Sequence, residues 1–220
     1  MMLVSSQAID SMLMVLMSLV SVKFKIIVSQ LDEMNENVAE EVFGSNKDFV
    51  SNASTEEHET MIEERYRLYL IDCIQRHQKT IEFAAKLNEV VSVAGLLQMM
   101  NIPIMICSNA FHLTQNEVKL MEFFLFLSLC VMILIKLFVY CWYGQDVIDQ
   151  SEKVQIALYS TDWYNKSPSY KKLVPTMLMR ASHPVKLRNG IFNDLSFETF
   201  TAVLNTAYSY LALLSKMNES

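Results

Sequence analysis

Charged residues, glycine and proline are all scarce in this sequence. Only 19% of its 220 residues are charged, whereas soluble domains are nearer a quarter charged. Glycine and proline occur four times each, which favours long helices. The formal net charge is −6, so the chain offers no basic field and we expect no nucleic acid partner.

The sequence also lacks the motifs of enzymes and metal sites. It has no HExxH, EF-hand, Gly-rich phosphate loop or GxSxG pattern, and its four histidines are dispersed. We therefore predict no catalytic activity, no metal and no cofactor. The cysteines have no CxxC spacing, and three of the four lie in apolar runs, which predicts reduced packing residues rather than a disulfide framework.

Long apolar runs are what the chain does have. Hydrophobic residues make up 52% of it, and four runs approach the roughly 20 residues that a membrane span needs. The alternative is four core helices of a soluble protein, but a chain of this size rarely buries four such runs. We therefore predict an all-α fold of several membrane helices. The runs cover residues 1–22, 90–111, 123–143 and 199–215.

The distribution of lysine and arginine predicts how these runs are oriented. Of 18 such residues, eight lie between the first and second runs and seven between the third and fourth. Only Lys119 and Lys216 lie in the other connecting or terminal segments. The positive-inside rule therefore places both long connecting segments in the cytoplasm and both termini outside. On this topology, His77 is interpreted as a cytoplasmic surface residue.

Residues 1–22 would enter the membrane from the outside. They carry neither a cationic n-region nor a small-residue cleavage site, so they do not resemble a signal peptide. A first span with this orientation is easier to explain if further spans precede it. We therefore expect the sequence to be the C-terminal part of a longer protein.

Lys136 is the one charge inside the third run. Its stem could extend toward the cytoplasmic aromatic residues Tyr140, Trp142 and Tyr143, as lysines near membrane interfaces do. It could instead pair with an acid on another helix, or line a water-filled path. The sequence leaves these alternatives open.

The predicted helices are longer than the membrane is thick. Ile27, Leu31, Met34 and Val38 form an amphipathic stripe beyond the first run, and capping boxes begin at Ser54 and Thr114. Exposed stripes on such extensions need partners, which favours a cytoplasmic helical assembly. The predicted segments are 1–43, a span with a cytoplasmic helix; 54–112, a cytoplasmic helix with a span; 114–159, a span with a cytoplasmic extension; 160–190, a cytoplasmic segment; and 191–215, the last span.

The last run differs from the others because it is partly polar. Thr201, Asn205 and Tyr208 share one face of the predicted helix. A polar stripe on a spanning helix should face protein or water rather than lipid. It therefore indicates either hydrogen bonding between helices or the lining of a pore.

Residues 144–215 resemble the C-terminal region of the insect odorant receptor family. The resemblance rests on the order of GQDVIDQSEKVQIALYSTDWY, then KKLVPTMLMRASHPVKLRNGIF, then LSFETFTAVLNTAYSYLALL. Individually these motifs are weak, but their order is specific. The resemblance covers essentially the whole chain but only the later half of the family's usual length.

The resemblance implies a seven-span protein of which this chain holds spans four to seven, with an extracellular C-terminus in the plasma membrane. It implies a subunit of a tetrameric, odorant-gated, non-selective cation channel formed with a co-receptor. Its partners would be a volatile odorant, co-receptor subunits and membrane lipid. The short connection at 44–54 resembles a tuning receptor rather than the co-receptor.

The resemblance also implies functional residues. The last span would line the pore through Thr201, Asn205 and Tyr208, with Leu213 at the position of a hydrophobic gate. The odorant pocket would take outer-half residues of the fourth and sixth spans: Met12, Leu13, Leu16, Phe123, Phe126, Leu127 and Cys130. Ordinary helix packing is the alternative role for these pocket residues.

The sequence also leaves rival functions open. They are a gustatory receptor of the same superfamily, a transporter or a membrane scaffold.

Overall fold

A computed structural model of the chain describes residues 2–45, 55–115, 120–189 and 193–205. Apart from one hairpin whose two strands have two residues each, the regular structure in these ranges is helical, and the predicted all-α class is confirmed. The elements are α1 (Met2–Asp32), α2 (Met34–Ser45), α3 (Thr55–Gln115), α4 (Leu120–Ser160), a 3-10 helix (Trp163–Asn165), α5 (Pro168–Ala181), β1 (Arg188–Asn189), β2 (Asn193–Asp194) and α6 (197–205).

A side-chain cap marks the start of α5. The helix begins after Ser167, whose side chain accepts a hydrogen bond from the backbone N–H of Tyr170. Pro168 follows at the first helical position, where its missing N–H costs no hydrogen bond. Ser54, the predicted cap of α3, lies outside the described residues. The last helix begins later than the predicted segment 191–215, because residues 193–194 form a strand.

The junction of α1 and α2 is a slight irregularity in an otherwise continuous helix. The backbone N–H of Glu33 donates to the carbonyl of Ser29, and that of Asn37 donates to Glu33, both at 2.9 Å. These are the i to i−4 hydrogen bonds of an α-helix. Helical hydrogen bonding therefore continues across the junction of the two helices.

The chain divides into two compact units. The first unit comprises Met1–Met17, Lys86–Asp146 and Lys186–Ser220. The second unit comprises Ser18–Ala85 and Val147–Val185. Each unit therefore assembles helical segments that are distant in the sequence.

The core of the second unit follows a repeat of three and four residues. The predicted stripe of Ile27, Leu31, Met34 and Val38 is buried, each residue being at most 3% exposed. This spacing places one side chain per turn on the same helix face. The other helices bury residues at the same spacing: Leu70, Cys73, His77, Thr80 and Ala84 from α3; Val147, Ser151, Val154 and Leu158 from α4; and Tyr170, Val174, Met177 and Ala181 from α5.

His77 is part of this core, and its interpretation as a surface residue is wrong. It is 3% exposed, and the Phe24 ring meets its imidazole edge-on at 5.9 Å between centroids. Burial, together with the charge of Arg180, lowers the pKa of His77 from 6.5 to about 4. The sequence does contain the signal for this position, because His77 continues the spacing of Leu70 and Cys73.

The lowered pKa predicts a pH dependence of stability. In the window between pH 6.5 and about 4 the unfolded chain binds a proton at His77 that the folded chain does not. The contribution of the neutral His77 side chain to the free energy of unfolding is therefore fully present above pH 6.5, and it is lost as the pH falls through this window. The single group contributes a slope of at most about 1.4 kcal/mol per pH unit.

We expect His77→Leu to flatten the decline of the melting temperature of the detergent-solubilised protein between pH 6.5 and 4. The exposed His183 provides the matched control, because His183→Leu should leave the decline in place. An equal decline in the parent protein and in His77→Leu would contradict the prediction.

Two described stretches are long and apolar enough to cross a membrane. They are Asp10–Asp32, with a mean hydropathy of 2.0, and Leu127–Asn165, with 1.9. They overlap with the predicted runs at 1–22 and 123–143. The residues of the other two predicted runs lie wholly or largely outside the described side chains.

The surfaces of these stretches fit lipid better than a soluble core. On α1 the exposed apolar residues repeat every three or four positions: Met12, Val15, Leu19, Val22 and Ile26. Only 12% of the most apolar window on α4 is buried, which a soluble core helix would not tolerate. These helices are therefore apolar on both their packed and their exposed faces, as membrane helices are.

Candidate functional site: a membrane ion pair and the base of the last helix

An ion pair joins the two apolar stretches within the first unit. The ammonium of Lys136 on α4 contacts carboxylate oxygen Oδ2 of Asp10 on α1. The hydroxyl of Tyr140, one turn further along α4, donates to Oδ1 of the same carboxylate at 2.8 Å. Both oxygens of Asp10 are thus engaged by one face of α4. Of the alternatives for Lys136, the structure supports pairing with an acid on another helix.

The pair is largely removed from solvent. The side chain of Asp10 is 9% exposed and that of Lys136 is 29% exposed. A charge in apolar surroundings is costly unless it is paired, and removal of one partner from a buried pair costs about 3–5 kcal/mol because the other charge is left uncompensated. The pair therefore fixes α1 against α4 where the sequence offers few other polar contacts.

We expect Asp10→Asn and Lys136→Met each to lower the melting temperature of the solubilised protein and its amount at the cell surface. The double variant should be less impaired than the sum of the two single effects, because neither charge is then left alone. Lys153→Met, at an exposed position on the same helix, is the matched control. Strict additivity of the two single effects would show that the residues do not act as a pair.

A short hairpin leads into the last helix. β1 and β2 pair antiparallel, with Arg188 opposite Asp194. The Asp194 carboxylate accepts ion pairs from Lys186 at 3.1 Å and Arg188 at 3.3 Å. On the other side, the backbone N–H of Arg188 donates to the side-chain oxygen of Asn88 on α3 at 2.6 Å. The hairpin is therefore hydrogen-bonded to α3 at Arg188, and ion pairs to Asp194 connect its two ends.

α6 begins with a side-chain cap. The Ser196 hydroxyl oxygen accepts from the backbone N–H of Thr199 at 3.3 Å, the usual partner of a helix N-cap. The Thr199 hydroxyl in turn donates to the carbonyl of Asp194 at 2.7 Å. Leu195, which precedes the cap, is 1% exposed, and its N–H donates to the carbonyl of Leu187 at 2.7 Å. These bonds define where the helix starts and in which direction it leaves the hairpin.

Aromatic rings attach the first turn of α6 to α4. The Phe138 ring stacks on Phe197 at 6.2 Å and meets Phe200 edge-on at 5.5 Å between centroids. Trp142 contacts Phe197 edge-on at 5.9 Å. Aromatic pairs in these arrangements are each worth about 0.5–1.5 kcal/mol beyond the burial of their surface. The sequence predicted Trp142 only as part of a membrane-interface belt, so this cluster is a feature that sequence reasoning missed.

The predicted pore residues are only partly within the described chain. Thr201 and Asn205 are both exposed, whereas Phe200 and Val203 on the α4 side of the helix are half-buried. The Thr201 hydroxyl donates to the carbonyl of Phe197 one turn earlier, at 2.9 Å. Tyr208 and Leu213 lie outside the described residues. Thr201 follows Phe197 by one helical turn, so the described part of the polar stripe lies beside the aromatic cluster, on exposed surface.

The predicted odorant-pocket residues do not all share one environment. Met12 is 61% exposed and Leu127 47% exposed, whereas Leu13 is 1% exposed. Leu16 is half-buried. The side chains of Phe123, Phe126 and Cys130 lie outside the described ones. Leu13 therefore packs inside the protein, and the pocket as a whole stays a prediction.

A cavity of about 540 Å³ in the second unit does not correspond to the predicted odorant pocket. None of the predicted pocket residues lines it. Four of its eight lining residues are charged, which suits water or a polar ligand rather than a volatile apolar one. The lining residues are Gln30, Asn37, Glu40, Arg65, Leu68, Tyr69, Asp72 and Arg76.

Comparison with known proteins identifies the family. The profile of the family described as 7tm Odorant receptor matches residues 1–208. The chain belongs to the 7tm odorant receptor family. It is accordingly a membrane protein of a receptor family, and the resemblance drawn from its C-terminal motifs is confirmed.

Individual relatives support the same assignment. The chain is 29% identical to Odorant receptor 67c of Drosophila melanogaster over 66% of its own length and 36% of the relative's. It is 29% identical to Odorant receptor 85b of the same species over 77% of the chain and 43% of the relative. With Odorant receptor 10 of Aedes albopictus the identity is 26%, over 68% of the chain and 40% of the relative. The chain thus spans less than half the length of the relatives it matches.

Proposed function

We propose that the receptor carrying this chain is the odorant-binding subunit of an odorant-gated, non-selective cation channel in the plasma membrane. The chain supplies spans four to seven, and α6 begins the span that lines the pore. One observation carries the proposal furthest: at the start of this helix, in a member of the odorant receptor family, Thr201 and Asn205 are exposed beside the packed face.

The physical argument for the pore concerns the polar stripe. Hydroxyl and amide groups on a spanning helix are stable when they meet water or a polar neighbour, and they are costly against lipid. The aromatic contacts of Phe197 and Phe200 assign one side of α6 to α4. Thr201 and Asn205 are exposed beside that side, and they would face a lumen shared with other subunits. Leu213, further along the same span, is proposed as the apolar constriction of this lumen.

The partners follow from the family and from exposed surfaces of the second unit. Large apolar side chains on the C-terminal part of α4 and on α5 are 67–69% exposed: Ile156, Tyr159 and Met179. Exposed apolar surface on a segment expected in the cytoplasm favours burial against another subunit. We propose co-receptor subunits as that partner in a heterotetramer. A volatile odorant would bind between the outer halves of the fourth and sixth spans.

The orientation can be tested by thiol labelling of intact cells. Single cysteines introduced at Ser51 and Ser167 should resist a membrane-impermeant thiol reagent, because both connecting segments carry the excess of positive charge. A cysteine at Asn116 should react. Permeabilised cells provide the control that all three positions are reactive when reached. Labelling at Ser51 before permeabilisation would contradict the proposed topology.

Substitutions that change the charge or polarity of the last span test the pore assignment. In the receptor co-expressed with its co-receptor, Leu213→Ser should hydrate the constriction and raise the current without odorant. Asn205→Asp should increase the permeability to divalent relative to monovalent cations, because a carboxylate in the lumen attracts cations. Val203→Ala, on the packed side of α6, is the matched control and should leave the permeability ratio unchanged.

If Leu213→Ser and Asn205→Asp both leave basal current and selectivity unchanged while odorant responses persist, the last helix does not line the pore. The polar stripe would then serve hydrogen bonding between helices.

A further inference from the structure

Gly144 on α4 makes an unusually close approach to the chain that precedes α6. A Cβ atom at this position would lie 2.3 Å from the carbonyl oxygen of Leu195 and 2.5 Å from its Cβ. Contacts below 3.0 Å are essentially never seen for real Cβ atoms. The obstacle is partly backbone, which cannot rotate away as a side chain can. Any residue other than glycine here would therefore displace Leu195 or α4 itself.

The neighbouring residues of α4 hold the same short segment. The side-chain oxygen of Gln145 accepts from the backbone N–H of Phe197 at 3.4 Å. The buried Cys141 thiol lies by the backbone N–H groups of Ser196 and Phe200. With the aromatic contacts of Phe138 and Trp142, two turns of α4 fix residues 195–200 from one side.

This arrangement fixes the rotation of α6 about its own axis. Phe197 and Phe200 are directed to α4, and successive residues of a helix are about 100° apart. Thr201 and Asn205 follow Phe197 by four and eight residues, so they lie about 40° and about 80° round the helix from it, on the side away from Phe200, and both are exposed. A displacement of Leu195 by a side chain at position 144 would move the cap at Ser196 and turn the helix that starts there.

We propose that Gly144 is a positioning residue of the conduction pathway: its bare backbone seats Leu195 and so sets the rotational register in which Thr201 and Asn205 face the lumen. The inference rests on the proposed function of the last span. It adds a residue outside the pore that determines which side chains line it.

The test measures the register of α6 directly. Thr201→Cys and Ala202→Cys are introduced separately into the receptor, which is co-expressed with its co-receptor. A positively charged methanethiosulfonate reagent is applied to the cytoplasmic face of excised patches, and the rate of current block is recorded. With Gly144 present, block should be several-fold faster at Thr201→Cys than at Ala202→Cys. The receptor without an introduced cysteine corrects for its native thiols.

The same pair is then measured in the Gly144→Ala background. The ratio of the two rates should fall several-fold or invert, at a surface density matched by epitope labelling. Glu152→Ala, an exposed position on the same helix, is the control and should leave the ratio unchanged. A loss of stability alone would lower the current but would not exchange the reactive positions.

A milder variant keeps the inference testable if Gly144→Ala does not reach the surface. Gln145→Ala removes the acceptor of the Phe197 N–H without adding a side chain against Leu195, and should shift the ratio in the same direction by a smaller factor. An unchanged ratio in every variant that reaches the surface would overturn the role of Gly144 and leave the pore assignment standing. Absence of block at Thr201→Cys with Gly144 present would instead overturn the pore assignment itself.

Discussion

The pairing of Asp10 with Lys136 is the constraint on which the membrane part of this chain depends. Each charge alone would be costly in apolar surroundings. The two helices that carry them must therefore meet at one particular height, with Tyr140 completing the coordination of the carboxylate. Apolar side chains around the pair could pack in several registers, whereas loss of the ion pair would leave an uncompensated charge in every other register.

The same helix, α4, then determines how the last helix starts. Its Lys136 face is held to α1, and within the next three turns its aromatic residues, Gly144 and Gln145 hold residues 195–200. The receptor function proposed for this chain needs a lumen lined by a defined face of the last span. A helix attached at its base by rings, backbone contact and a cap has such a defined face. The attachment and the polar stripe are therefore two parts of one arrangement.

Much of the helical layout could be predicted from the sequence. The stripe of Ile27 and Leu31 is local information, because residues three and four apart lie on one face of any α-helix. Ser167 marks the start of α5 because its short polar side chain accepts a hydrogen bond from a free backbone N–H group. His77 was misjudged for a related reason: residue type indicated the surface, whereas its place in the repeat of Leu70 and Cys73 indicated the core. The periodic pattern was the better guide.

The candidate site could be predicted only in part. The sequence by itself determined the helical class, the apolar runs, the polar stripe at Thr201 and Asn205, and the family, because these depend on composition, local periodicity and motif order. Only the tertiary structure decided that Lys136 meets Asp10, that Phe138 stacks on Phe197, and that Gly144 lies against Leu195. These contacts join residues that are some 50 to 130 positions apart. No local pattern specifies them, since the packing of whole helices selects which faces meet.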